Sequence, residues 1–106
     1  MSEVQGSERY EMRIISEARI REAKLKWPHA ASALEAWRQL FRNNSPKDFA
    51  QLKQLNPAAD KYKDKYILDV GGNKIRIIAV IHFKADTLYI RYVLDHKEYD
   101  SGKWKD

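Results

Sequence analysis

Val70-Gly71-Gly72-Asn73-Lys74-Ile75-Arg76 decides how the second half of this chain is read. Two glycines and an asparagine stand between two apolar, β-prone runs. Glycine and asparagine accept the positive φ that tight turns demand, so the stretch predicts a β-hairpin. A third apolar run follows Lys84–Thr87. The pattern predicts three strands, at about 65–70, 74–83 and 88–94, in an antiparallel meander.

The expected registers follow from loop length. A two-residue Gly71-Gly72 loop pairs Val70 with Asn73 and Ile67 with Arg76. A four-residue loop from Lys84 to Thr87 pairs Phe83 with Leu88, Val80 with Arg91, and Arg76 with Asp95. One face then carries Tyr66, Leu68, Ile75, Ile77, Ala79, Ile81, Phe83, Leu88, Ile90, Tyr92 and Leu94, and must pack under helices. The other carries Ile67, Asp69, Arg76, Ile78, Val80, His82, Tyr89, Arg91 and Val93, a mixed and half-open surface. A one-residue slip would bury both arginines in the core, which is very costly.

Upstream, Met12–Ile15 reads as a short strand. Ser16, as N-cap, and Glu17 open a helix that runs to about Trp27 and stops before Pro28. Residues 29–42 are the clearest helix: Ala30, Ala33, Leu34, Trp37, Leu40 and Phe41 recur at three- and four-residue spacing. Ser45 as N-cap, with Pro46 at the first helical position, opens another helix, closed by Asn56-Pro57. Residues 58–65 read as a charged loop in which Lys61, Lys63 and Lys65 alternate. The fold class is α+β, with a short N-terminal strand and two to three helices on one face of a mainly antiparallel sheet. Residues 1–11 read as an N-terminal extension and 12–106 as a single domain. Trimming the extension should leave the melting temperature unchanged.

Composition narrows the function. At 106 residues and 43% hydrophobic, the chain supports one modest core. It has no cysteine, which excludes a disulfide framework and thiolate chemistry. No apolar run approaches the roughly 18 residues a membrane span needs, and no signal-peptide core is seen. The expectation is a soluble cytoplasmic protein. The net charge of +5 favours polyanionic partners, nucleic acid among them. The three histidines lack ligand spacing, so no metal is expected. No phosphate-binding glycine loop or nucleophile elbow is present.

Arg76 and Arg91, on the open face among apolar neighbours, have the bidentate geometry that holds a phosphate and stabilises charge building up during phosphoryl transfer. Pairing with Asp69 and Asp95 as structural ion pairs is an equal alternative. His96 carries an imidazole, a side chain suited to proton transfer near neutrality, with Lys97 and Tyr99 in the same turn. On composition alone, a plain polar C-terminal segment is the favoured reading. Lys63 and Lys65 at the strand entry also read as a solvated loop edge.

Asp69-Val-Gly-Gly-Asn-Lys-Ile-Arg-Ile-Ile-Ala-Val80, Tyr89-Ile-Arg91 and Asp95-His-Lys-Glu-Tyr-Asp100, in that order and spacing, closely resemble the HigB-type toxins of bacterial type II toxin–antitoxin systems, which are RelE-like mRNA interferases. The resemblance covers Met12 to Asp100 in layout. It implies a RelE-like α+β fold that cleaves mRNA on translating ribosomes. It also implies no metal or other cofactor, and a cognate HigA-type helix-turn-helix antitoxin through which alone operator DNA is met. The implied chemistry is attack of the ribose 2′-hydroxyl on the adjacent phosphate, giving a 2′,3′-cyclic phosphate. By position, Arg76 and Arg91 would bind the scissile phosphate, and His96 and Tyr99 would be acid and base in either order. Lys97, with Lys63 and Lys65, would hold flanking phosphates or stabilise the leaving group, with Asn73 and Asp95 in support. Two other classes compete: a ParE-like toxin that inhibits gyrase by binding, and a plain RNA-binding module. The His96–Tyr99 cluster argues against the first, and the core positions of most aromatics against the second.

Overall fold

The computed structural model describes residues 11–72 and 74–105. The chain order is β1 (Arg13–Ile15), α1 (Ala18–Lys26), a 3₁₀ turn (Pro28–Ala30), α2 (Ala31–Arg42), α3 (Phe49–Leu55), β2 (Asp60–Tyr62), β3 (Lys65–Val70), β4 (Ile75–His82), a second 3₁₀ turn (Phe83–Ala85), β5 (Thr87–Asp95), α4 (His96–Ser101) and a closing 3₁₀ turn (Lys103–Lys105). The five strands form one sheet in the order β1-β5-β4-β3-β2. Every neighbouring pair is antiparallel except β1 with β5. This is the α+β architecture expected from the sequence. The expected extension lies outside the described residues, apart from Glu11. Met12 is already core: it is 3% exposed, and its N–H donates to the Phe41 carbonyl at 3.3 Å.

The apolar stripe of α2 buries Leu34, Trp37 and Phe41 against the sheet, as its spacing predicts. Ile20 and Ala23 of α1 and Leu52 of α3 join them over Leu68, Val70, Ile75, Ile77 and Leu88. A charge clamp ties α1 to α2. Lys24 meets Glu35 at 2.5 Å, and Arg38 meets Glu17 at 2.6 Å. The Lys24 hydrogen bond, then that of Gln39, pulls the Glu35 carboxyl down to about 2.

Both expected N-caps are wrong. Ser16 adopts φ 73°, so Glu17 stands at the cap of α1, without a side-chain cap bond. Ser45 instead donates its hydroxyl to the Asp86 carboxylate, and Asp48 caps α3 by accepting from the Gln51 N–H at 2.9 Å. Lys47 also reaches Asp86, at 2.8 Å, and these contacts hold that carboxyl below its ordinary range. The charged loop at 58–65 is also corrected. It contains β2, hairpinned onto β3 through Lys63 (φ 55°) and Asp64. Its residues are charged because it is a sheet edge, where solvated lysines discourage further pairing.

The hairpin loop is four residues long, not two: Val70 pairs with Ile75. Gly71 (φ 64°) and Gly72 (φ 62°) supply the left-handed turn. A Cβ on Gly71 would also lie 3.0 Å from the Cβ of Ala33. The register therefore moves by two residues, which preserves faces but sets Arg76 opposite Asp69 rather than Ile67. The next hairpin also moves by two: Ile81 pairs with Leu88, and Phe83 leaves the strand.

The larger correction comes at Arg91. Ala79 pairs with Ile90 and Ile78 with Tyr92, so Arg91 is the extra residue of a β-bulge. The alternation of β5 inverts beyond it. Tyr92 and Leu94, expected under the helices, join the opposite face, while Val93 packs into the main core. Asp95 pairs with Ile75, not Arg76.

Candidate active site

The sheet face away from α1–α3 carries a second, smaller cluster. Ile67 and Ile78 form its floor, and Trp104 closes over them with Tyr62, Tyr92, Leu94 and Tyr99 around it. The segment after β5 is therefore not a loose polar tail. Asp95 caps α4 by accepting from the Glu98 N–H at 2.8 Å, and Glu98 accepts from the Asp95 N–H at 3.1 Å, a complete capping box. Gly102 (φ 76°) then turns the chain so that Trp104 returns to the sheet. The indole N–H of Trp104 donates to the Tyr99 carbonyl at 2.9 Å. Its ring stacks on Tyr99, with centroids 5.4 Å apart, and meets Tyr62 edge-on at 5.6 Å.

Arg76 sits at the centre of this face. One guanidinium nitrogen lies 3.3 Å from the Asp69 carboxylate, and its carbon lies 5.0 Å from the Tyr99 ring centroid. The side chain is 15% exposed. A guanidinium has five N–H donors, and this ion pair is a single contact, so donors remain for an anion. Structural pairing with Asp69 thus leaves Arg76 with donors that an anion could take. Arg91 is exposed in the bulge and makes no ion pair among the described residues. The alternation before and after the bulge leaves both Arg91 and Tyr92 on the open side. At about 3.3 Å per strand residue, Arg91 lies roughly 8 Å along the sheet from Arg76.

The structure sorts the other candidates. Tyr99 meets Arg76 directly. His96, the first residue of α4, turns Nε2 toward Asp100 at 3.3 Å, and both are well exposed. Lys97 lines a groove beside α4. Lys63 is exposed in the β2–β3 turn, with its ammonium 5.4 Å from the Tyr62 ring. Lys65 is largely buried at 9% exposure, 3.6 Å from Asp64. Asn73 lies outside the described residues. Asp95, expected opposite Arg76, supports the site instead by starting α4. Among the described residues, no group of three His, Asp or Glu side chains could hold a metal ion. No helix there is long and apolar enough to cross a membrane.

Sequence reasoning missed Trp104, Tyr62 and Lys105. Lys105 stands 5.1 Å from the Tyr62 ring and 5.7 Å from the Trp104 ring. The available signal was Trp104 itself, a large aromatic in an otherwise polar stretch with a glycine two residues before it.

Residues 30–102 match the family model of HigB_toxin, described as the RelE-like toxic component of a toxin-antitoxin system. The chain is 36% identical over 92 residues to the mRNA interferase toxin HigB of Escherichia coli strain K12, covering 84% of this chain and 88% of that protein. It is equally similar, over the same shares, to the mRNA interferase HigB of Shigella flexneri. To the mRNA interferase HigB of Escherichia coli O6:H1 it is 37% identical over 95 residues, covering 84% and 89%. With its site on the open face of an α+β sheet, the chain belongs to the HigB family of RelE-like toxins of toxin–antitoxin systems.

Proposed function

We propose that this toxin is an endoribonuclease that cuts mRNA across the open face of its sheet. The supporting observation is Arg76, held between the Asp69 carboxylate and the Tyr99 ring with donors to spare. A base takes the proton of the ribose 2′-hydroxyl, and the oxygen attacks the adjacent phosphorus. The 5′-oxygen leaves and receives a proton from an acid, giving a 2′,3′-cyclic phosphate and a 5′-hydroxyl. Arg76 and Arg91 offset the extra negative charge of the transition state. Tyr99 is the proton-transfer group nearer Arg76, and His96 is the second. Lys97 holds a flanking phosphate, and Lys63, with Lys65 behind it, receives the strand at the β2–β3 turn; Asn73 is a further RNA-binding residue. The message is cut on translating ribosomes in the cytoplasm, without a metal. A HigA-type antitoxin neutralises the protein and alone brings it to operator DNA.

Primer extension on cellular mRNA after induction tests this reading. Wild type should leave cuts within codons. Arg76→Ala should reduce them by about 10²- to 10³-fold, the usual cost of losing one preorganised charge stabiliser, while circular dichroism shows a folded protein. Tyr99→Phe should also impair cutting. Undiminished cutting by both variants, or DNA breaks without mRNA cuts, would refute the assignment.

A further inference from the structure

Tyr92, Leu94, Lys97, Glu98, Ser101, Lys103 and Trp104 line an open groove of about 520 Å³ between β5 and the C-terminal segment. It exists because of the bulge. Regular alternation would have sent Tyr92 and Leu94 under the helices. Its floor is apolar and aromatic, and its rim carries two exposed ammonium groups, Lys97 and Lys103. Two of the polar side chains on its wall, Glu98 and Ser101, are already engaged. Glu98 accepts from the Asp95 N–H and from Lys26 at 3.1 Å. The Ser101 hydroxyl donates to the Glu98 carbonyl at 2.7 Å and accepts from the Lys103 N–H at 3.3 Å. What the groove offers a base is an aromatic surface to stack on, with two ammonium groups at the rim for its phosphate.

We infer that this groove holds the base of a purine nucleotide adjoining the cut, stacked on Tyr92 over the Trp104 floor with its phosphate at Lys97 and Lys103. The inference rests on the nuclease reading and adds a specificity-determining residue, Tyr92. Selection by stacking strength favours purines over pyrimidines without fixing a sequence. Arg91, next to Tyr92 in the bulge, joins this groove to the phosphate site.

The test is an NMR titration of the whole protein with adenosine 5′-monophosphate and uridine 5′-monophosphate. The Trp104 indole N–H is a built-in reporter. The adenosine nucleotide should move that signal and the amides of Tyr92, Lys97 and Lys103 in a saturable way, and the uridine nucleotide should bind more weakly. Tyr92→Phe should keep the affinity, and Tyr92→Ser should weaken it roughly 5- to 150-fold, the range for one lost base stack. Lys103→Glu, at the exposed rim, should also weaken it without altering the free spectrum, whose dispersion reports each variant's fold. Shifts confined to Arg76 and its neighbours, or equal affinity in a folded Tyr92→Ser, would overturn the inference. The titration involves no cleavage. Binding in the groove by a protein that leaves mRNA intact supports the groove and sinks the nuclease reading alone. Cuts in mRNA by a protein whose groove takes no nucleotide sink the groove alone.

Discussion

The two faces of the sheet are built from alternate residues of the same strands, yet they follow different rules. On the helix side, aliphatic side chains of β3, β4 and β5 meet three helices, and charges stay outside that core, as in the clamp of Lys24, Glu35, Arg38 and Glu17. On the other side, two isoleucines carry a layer of aromatic rings, and cations lie against those rings: Arg76 on Tyr99, Lys63 and Lys105 on Tyr62. The first face supplies stability by excluding water. The second keeps a polar chemistry in place with a minimum of apolar cover. One residue, Arg91, sets the boundary, because the bulge decides which side chains of β5 belong to which face.

An alanine inserted after Tyr92 is the strongest way to break that division. If the bulge stays, Val93 moves to the open face and Leu94 into the helix-side core; if the bulge closes, Tyr92 enters that core, which has no room for it. Overpacking and damage to the second cluster together should cost more than about 4 kcal/mol. The expected result is loss of cooperative unfolding in urea. Deleting Arg91 inverts nothing, because Tyr92 then follows Ile90 directly and every side chain keeps its face. That deletion should therefore cost far less than the insertion, and Arg91→Ala should stay within about 1 kcal/mol of wild type. An insertion variant as stable as wild type would show that alternation in β5 does not set the faces.

Much of this was legible in the sequence, and the failures have physical causes. The helix-side face was readable because period-2 alternation in β4 and period-3.6 alternation in α2 both mark it, and two-residue register errors leave it unchanged. The bulge was not readable. Ile90-Arg91-Tyr92-Val93-Leu94 fits either face, and only packing chooses. Arg76 was singled out by its place on the open face, and Tyr99 and Lys97 through the family resemblance; the structure brings Tyr99 against Arg76. Trp104 was missed because its partners, Tyr62 and Ile78, are distant in sequence. The N-caps at Ser16 and Ser45 failed for different reasons: Ser16 takes a left-handed φ, and the Ser45 hydroxyl is taken by Asp86.

Adjacent residues of β4 sharpen the comparison. Ile77 and Ile78 are both 0% exposed, but Ile77 belongs to the helix-side core and Ile78 to the second cluster. Ile77→Ala should cost about 3–5 kcal/mol in chemical denaturation. Ile78→Ala should cost less, about 2–3 kcal/mol, because its cluster is smaller and can relax. Activity should rank the other way among the folded molecules, since Ile78 supports Trp104 and hence Tyr99. Equal effects on both quantities would mean that the faces are not separate.

A milder step is Asp95→Ala, which removes the cap of α4. Stability should fall by about 1 kcal/mol, and mRNA cutting should fall further than that loss explains, because His96, Lys97 and Tyr99 all ride on this helix. Asp95→Asn keeps a cap acceptor and should restore most of both. If the alanine variant loses stability and keeps full activity, α4 does not position the site.

The smallest effect belongs to the helix side and is a matter of pH. The Glu35 carboxyl is pulled down to about 2, chiefly by the Lys24 hydrogen bond. In the unfolded chain it titrates near its ordinary value of 4.5. A carboxyl depressed by folding stabilises the folded state above the unfolded value, and this contribution disappears as pH falls through the folded one. Wild type should therefore melt slightly above Glu35→Gln at pH 6, with the gap closing between about pH 4.5 and 2. The clamp is solvent-exposed, so added salt should shrink the gap as well. mRNA cutting at neutral pH should be the same in both proteins, because the clamp lies across the sheet from Arg76. A Glu35→Gln variant that cuts poorly at neutral pH while melting like wild type would tie the helix layer directly to the chemistry, and would end the division of labour between the faces.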